Sequence, residues 1–362
     1  MAAPRKLRFG VIGAGEFATV CHLPGLQSHP QAEVVALCRR QHDEGRSIAD
    51  RFGVPDVHTD YRELCERDDL DAVTIATPNA VHAEQVITAL NCGKHVFCEK
   101  PIATNVAQAT EMVCAAESRG KVHQVAFTFR YNYGVQELRR RVRAGDIGRP
   151  YYTRIQYDGW AGLRSDFKAG WRDKSSMAGG GVLYDFGSHL FDILRYVLGP
   201  IDLVTGLLQN FPRKAADQKT GEMTDVETDD IAAAWFRHES GLRGQWFIGR
   251  ITPMFTQNGC LEVIGPEGAL QAKLSRGKED RLRVTDPDSQ CWSDLPLPAE
   301  AGDGQPHCLG IMMRSFVDAC LRGEIDRNID ASFHDGLAAQ QAVAAVIEAN
   351  QNMSWVRLAD AG

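Results

Sequence analysis

The chain has 362 residues, 44% of them hydrophobic and 24% charged, which is too long for one simple core and predicts two domains. A net charge of −7 and a pI near 5.9 exclude a surface built for nucleic acid or an anionic membrane, since neither attracts a net anion. Ten cysteines without Cys-x-x-Cys or metal-ligand spacing, no export signal and no apolar run of membrane-spanning length predict reduced thiols in a cytoplasmic protein without a metal site.

Leu7–Ile12 reads as a buried strand that runs directly into Gly13-Ala14-Gly15-Glu16-Phe17-Ala18. In this G-x-G-x-x-A pattern Gly13 permits a tight turn, Gly15 removes a side chain where a pyrophosphate approaches, and Ala18 lets the following helix pack close to the strand. A second strand, Ala32–Cys38, ends in Arg39-Arg40, where an NAD-preferring site usually places a carboxylate. Guanidinium groups there favour a 2′-phosphate and hence NADP, the alternative being an Arg stacked on adenine in an NAD enzyme. A strand over Asp71–Pro78 ends in Thr77-Pro78-Asn79, with His82 three residues on and a helix over Ala83–Leu90. Lys94–Cys98 is the next strand and leads into Glu99-Lys100-Pro101. This alternation predicts a doubly wound parallel sheet with ligands beyond the carboxyl ends of its strands. Val122–Phe129 reads as its last strand, which puts the domain boundary near residue 128: a dinucleotide-binding domain over 1–128 and a substrate and oligomerisation domain over 129–362.

Arg130-Tyr131-Asn132 forms the passage between the two, with a helix over Val135–Ala144 and a strand over Tyr151–Tyr157. The loop from Asp158 to Asp173 carries Trp160, Trp171 and Arg172, and aromatic faces with charged forks suit a hydroxylated ring. Gly179-Gly180-Gly181 then releases the chain into one helix that ends at Gly199-Pro200. Asp185, His189 and Asp192 fall on one face of this otherwise apolar helix, where ionisable groups are costly unless paired or used. Pro212–Asp229 reads as a solvated polar loop. Strands follow at Ile231–Phe236, Gly244–Ile248, Cys260–Ile264 and Ala269–Leu274, without intervening helices, as in an antiparallel sheet. Two amphipathic helices, Ile311–Leu321 and Asp335–Ala349, close the chain, the second expected to pack back on the nucleotide domain.

Taken together, Gly13-x-Gly15-x-x-Ala18, Thr77-Pro78-Asn79-x-x-His82, Glu99-Lys100-Pro101 and Gly179-Gly-Gly-x-x-x-Asp185-x-x-x-His189-x-x-Asp192 resemble the Gfo/Idh/MocA oxidoreductases. The resemblance implies an N-terminal Rossmann domain plus an α+β C-terminal domain with a large, mostly antiparallel sheet, and a homodimer or homotetramer formed through that sheet. It implies Lys100, Asp185 and His189 as the catalytic set and a cis Lys100–Pro101 bond. Cofactor contacts fall on Gly13 to Ala18, Arg39, Arg40, Thr77, Pro78, Asn79, His82, Glu99, Lys100 and Arg172. Substrate contacts fall on Lys100, Arg130, Trp160, Arg172, Asp185 and His189.

The expected reaction is reversible hydride transfer between nicotinamide C4 and a secondary alcohol or ketone of a sugar, polyol or related cyclic diol. His189 is the expected base, oriented by Asp185, and Lys100 polarises the oxygen; the alternative division lets Lys100 relay the proton and His189 bind. Competing expectations are an NAD-dependent glycosidase on the same fold and a non-catalytic dinucleotide sensor, which would be expected to lack Lys100 or His189.

Overall fold

Strands with continuous apolar runs are satisfied by burial on both faces, and the central strands built by the first third of the chain are of that kind. The computed structural model describes residues 5–159, 162, 164, 166–251, 259–275, 279–289, 291–302 and 307–358. It divides into two compact units, one of residues 1–127 with 308–337, the other of residues 128–307 with 338–362.

In the first unit, β1 (Leu7–Ile12), β2 (Ala32–Cys38), β3 (Asp56–His58), β4 (Ala72–Ile75), β5 (His95–Cys98) and β6 (His123–Val125) form one parallel sheet in the order β3-β2-β1-β4-β5-β6. The helices are α1 (Leu23–Gln27), α2 (His42–Phe52), α3 (Tyr61–Cys65), α4 (His82–Asn91) and α5 (Val106–Arg119). Asn105 caps α5 by accepting from the Gln108 amide, and Gly120 ends it in the left-handed region. The last strand is shorter than its sequence suggests: only His123–Val125 pairs, and Thr128–Tyr131 turns into a 3-10 segment.

In the second unit α6 (Tyr133–Ala144) is followed by β7 (Tyr152–Asp158), β8 (Lys168–Ala169), α7 (Ser175–Ala178) and α8 (Ser188–Leu198). Then come β9 (Ile201–Gln209), β10 (Lys214–Asp217), β11 (Met223–Asp225), β12 (Ile231–His238), β13 (Arg243–Gly249), β14 (Gly259–Gly265), β15 (Gly268–Leu274), β16 (Leu282–Thr285) and β17 (Ser293–Asp294). The nine-stranded sheet runs β17-β16-β15-β14-β7-β13-β12-β9-β18, where β18 is Val356–Arg357, and it is antiparallel except between β7 and β13. One face buries Val204, Ala234, Phe236, Ile248 and Trp246, with Phe191 of α8 meeting Trp246 edge-on at 5.4 Å. The opposite face leaves Leu207 and Trp235 exposed.

Two expectations are corrected. Pro212–Asp229 is not simply a solvated loop, because β10 pairs with both β11 and β8 in a small sheet that buries Ala169, Ala215 and Val226 beside Phe167. The helix expected from Val182 to Leu198 is not uniform: Leu183–Gly187 is π-wound before α8 begins. Of the two closing helices, α9 (His307–Arg322) serves the first unit, where Phe316 meets Phe9 and Phe97. Most of α10 (Phe333–Asn352) belongs instead to the second, where Asn350 accepts from the Leu208 amide of β9.

Candidate active site

The glycine loop at the carboxyl end of β1 is fixed by its own backbone. The Gly13 and Ala14 amides donate to the Cys38 carbonyl at 3.0 and 3.3 Å, and the Gly15 amide donates back to Gly13 at 2.6 Å. Gly13 has φ +82°, and a Cβ on it would lie 2.6 Å from Thr77 Cγ2 and 2.8 Å from the Ala76 carbonyl, so only glycine fits. A Cβ on Gly15 would meet nothing nearer than 3.8 Å and would project into open space. Ala18 is fully buried, whereas Glu16 is exposed. This cradle fits a dinucleotide pyrophosphate: a bare turn, an unobstructed approach over Gly15 and a helical start beyond it. The segment Ala18–His22 is π-wound, and such turns recur at functional positions.

At the end of β2 Arg39 is already engaged. Its guanidinium donates to the Ala14 carbonyl and pairs with the Glu44 carboxylate, while Arg40 is exposed. Beyond β4, Thr77 Oγ1 donates to Gln85 at 2.7 Å and Asn79 is buried behind Pro78. His82 is fully buried, with Nε2 2.9 Å from the Thr77 carbonyl and Nδ1 3.1 Å from that of Pro101. Burial pushes this imidazole below its ordinary pKa despite both carbonyls. His82 therefore sits between the Thr77 turn and the Lys100–Pro101 turn, whose peptide bond is cis, and its one N–H donates to one of the two carbonyls. Glu99 is buried and its Oε1 lies 3.0 Å from Nε2 of His22, a fully buried ring edge-on to Phe97. Lys100, next in sequence, is half-buried. His22 was not among the expected site residues; a histidine closing the first turn after a glycine loop, in an otherwise apolar stretch, was its one sequence signal.

In the second unit, Asp185 sits within the π-wound segment and is half-buried, while His189 follows on α8, 3% exposed with its ring 4.9 Å from Phe129. Asp192, the third residue of that face, is spent structurally. Arg130 clamps it with Nε to Oδ2 at 2.9 Å and Nη2 to Oδ1 at 2.5 Å, both side chains almost fully buried. The Arg130 guanidinium also lies 5.0 Å from the Tyr196 ring. Arg130, expected at the substrate, is thus held in an internal ion pair and is itself 3% exposed. Arg172 is exposed and stacked 4.4 Å over Trp171. Trp160 lies outside the described residues.

A further carboxylate, Asp229, organises the glycine turn ahead of Asp185. It accepts from the Gly181 amide at 2.6 Å and the Leu183 amide at 2.9 Å, and burial pushes its carboxyl pKa up. The sequence hint was the Asp229-Asp230 pair placed directly before an alanine-rich strand.

The chain matches the model of an oxidoreductase family with an NAD-binding Rossmann fold over residues 7–127, and that of the Gfo/Idh/MocA C-terminal domain over residues 135–271. It is 31% identical to 1,5-anhydro-D-fructose reductase of Ensifer adhaerens, over 84% of this chain and 91% of that protein. It is 28% identical to levoglucosan dehydrogenase of Pseudarthrobacter phenanthrenivorans, over 85% of each. Among solved structures, levoglucosan dehydrogenase in complex with NADH superimposes with a TM-score of 0.89 at 26% identity, covering 98% of this chain and 100% of that one. The complex with NADH and L-sorbose gives 0.90 at 25% identity, with the same coverage. Its four motifs, its two-domain match and these likenesses have one reading: the chain belongs to the Gfo/Idh/MocA oxidoreductases and is an NAD(P)-dependent enzyme of that family.

Proposed function

We propose that the enzyme oxidises, reversibly, one secondary hydroxyl of a cyclic sugar or anhydrosugar, with Lys100, Asp185 and His189 as its catalytic residues. The observation that carries this reading is the placement of Asp185 and a nearly buried His189 at the junction of a π-wound turn with α8. His189 takes the hydroxyl proton, Asp185 orients the ring and favours its protonated form, and Lys100 polarises the substrate oxygen. When bound, the nicotinamide supplies the acceptor or donor of the hydride. Gly13 to Ala18 hold the pyrophosphate, and Thr77, Pro78, Asn79 and Glu99 line the approach to Lys100. His82 sits behind them between two turns, and Arg172 on Trp171 offers the substrate side a cation with an aromatic face.

For the cofactor, Arg39 and Arg40 support NADP(H) over NAD(H). With Arg39 neutralised by Glu44, Arg40 carries the discrimination. The exposed Trp235 and Leu207 on the uncovered sheet face support a homo-oligomer, measurable as solution mass by light scattering. The ten free cysteines, six of them buried, support a reducing cytoplasm.

The test is reduction of NAD+ and NADP+ by levoglucosan, 1,5-anhydro-sugars, glucosides and myo-inositol. The wild type turns over at least one with NADP+ favoured, and His189→Ala loses about 100-fold or more in kcat while binding NADH normally. Full turnover by His189→Ala removes the assignment.

A further inference from the structure

Asp229 is a half-buried carboxylate that no part of the proposed proton transfer uses, yet it holds the turn from which the proposed catalytic helix starts. Its two oxygens accept from the Gly181 and Leu183 amides, and its own carbonyl accepts from the Val182 amide at 3.1 Å. Three consecutive amides at the first turn of a helix are thereby satisfied by one residue 46 to 48 positions away. The Gly181 carbonyl in turn accepts the Asp185 amide at 3.0 Å, so Asp185 is two hydrogen bonds removed from the Asp229 carboxylate. The approach is close enough to dictate sequence: a Cβ on Gly181 would collide with the Asp229 carbonyl, and one on Gly180 with the Tyr184 ring.

Asp229 is itself braced. The next residue, Asp230, is fully buried and held by Arg213 at 2.6 Å, Arg250 at 2.6 Å and the Phe211 amide at 2.9 Å. Farther along, Ser188 Oγ donates to the Tyr184 carbonyl at 2.7 Å, at the point where the π-wound turn passes into α8 and His189.

We propose that Asp229 is a positioning residue for the reaction, fixing the Asp185–His189 face by anchoring the amides of Gly181 and Leu183. This rests on the catalytic reading of Asp185 and His189 given above. A carboxylate suits the task because both its oxygens accept and its charge favours a helix start. An amide in its place would accept one N–H and turn its own N–H2 toward the other.

The experiment compares Asp229→Asn, Asp229→Ala and His189→Ala, using NADP+ or NAD+ with the fastest substrate of the panel above. Displacement of the face by about 1 Å predicts a kcat loss of about 100-fold for Asp229→Ala and about 10-fold for Asp229→Asn, with KM changed less than about threefold. NADH affinity, read by fluorescence, stays at the wild-type value, and amide exchange accelerates at residues 181–187 while the later turns of α8 keep their protection. Wild-type kcat per NADH-binding molecule in both Asp229 variants, beside an inactive His189→Ala, overturns the positioning role alone. A loss of turnover that only tracks loss of NADH binding and of melting temperature also overturns it. An active His189→Ala overturns the catalytic reading instead, and leaves exchange at 181–187 to report on the anchor.

Discussion

Gly13 and Gly15 occupy equivalent-looking places in the loop motif, but the physics at the two differs. Gly13 needs φ +82° and has Thr77 and Ala76 where a side chain would go. An alanine there faces about 1–2 kcal/mol of left-handed strain before any clash is counted. Gly15 has open space on that side, its nearest neighbours being the Gly13 carbonyl and an Arg39 nitrogen at 3.8 and 3.9 Å. Gly13→Ala is therefore expected to lower both the melting temperature and NADH affinity. Gly15→Ala should leave the melt nearly unchanged, within about 0.5 kcal/mol, while NADH affinity falls about tenfold, because the methyl group occupies the pyrophosphate approach. Calorimetry with NADH titration separates the two, and equal melting losses would show that both glycines serve folding alone. Lys100 and His189 stand out in the sequence because a lysine at a strand end and a histidine on an apolar helix are out of place without a use. For Arg130 the sequence hid the ion pair: its charge is answered by Asp192, a partner 62 residues away that spacing does not reveal.

Among elements, the parallel strands were readable because β1, β2, β4 and β5 are buried almost throughout, and only continuous apolar runs can do that. The π-wound turn was not, since Val182–Leu198 carries an apolar pattern that an α-helix also satisfies. The contacts that hold its start are nonlocal, those of Asp229 with the amides of Gly181 to Leu183. The small β8-β10-β11 sheet escaped for a related reason: it buries only Ala169, Ala215 and Val226 beside Phe167, too few apolar side chains to outweigh Arg213, Lys214, Asp217 and Asp225 in the sequence. Its surroundings depend instead on a charge network. Arg250 donates to Asp230 at 2.6 Å, to Asp173 at 2.8 Å and to Thr228 Oγ1 at 3.2 Å. Burial alone would raise the Asp230 carboxyl, but Arg213, the Phe211 amide and Arg250 bring it below its ordinary pKa. Arg250→Ala leaves Asp173 without its guanidinium and Asp230 with Arg213 only, which predicts a loss of about 3 kcal/mol, seen as a lower urea midpoint. Arg250→Lys, lacking the planar fork, should fall between the two. An unchanged midpoint for Arg250→Ala would show that the buried carboxylates need no such partner.

For the whole molecule, one imidazole in each unit predicts how stability responds to acid. His123 in the first unit and His238 in the second are each pushed down from 6.5 to about 4, chiefly by burial. Geometry accounts for the direction. Nδ1 of His123 accepts the Phe333 amide at 3.0 Å and so must stay unprotonated, while Nδ1 of His238 donates to the Gly199 carbonyl at 2.9 Å from a fully buried ring. Because the folded values lie below 6.5, the unfolded chain takes up protons first as pH falls, and stability drops by about 1.4 kcal/mol per pH unit for each group. The loss begins near pH 6.5 and stops growing near pH 4, where the folded rings also protonate. His82 and His95 are shifted the same way by burial and add to the slope. Paired carboxylates such as Asp202, held down by Arg237, and Asp217, near 2, titrate at lower pH and steepen the fall only there. Melting temperature should therefore decline between about pH 6.5 and 4.5, ahead of the paired carboxylates. In His123→Gln the amide oxygen still accepts the Phe333 N–H, and in His238→Gln the amide N–H2 still donates to Gly199, yet neither titrates. The double variant should flatten this limb while matching the wild type near pH 8; an unaltered limb would place the acid sensitivity in other groups.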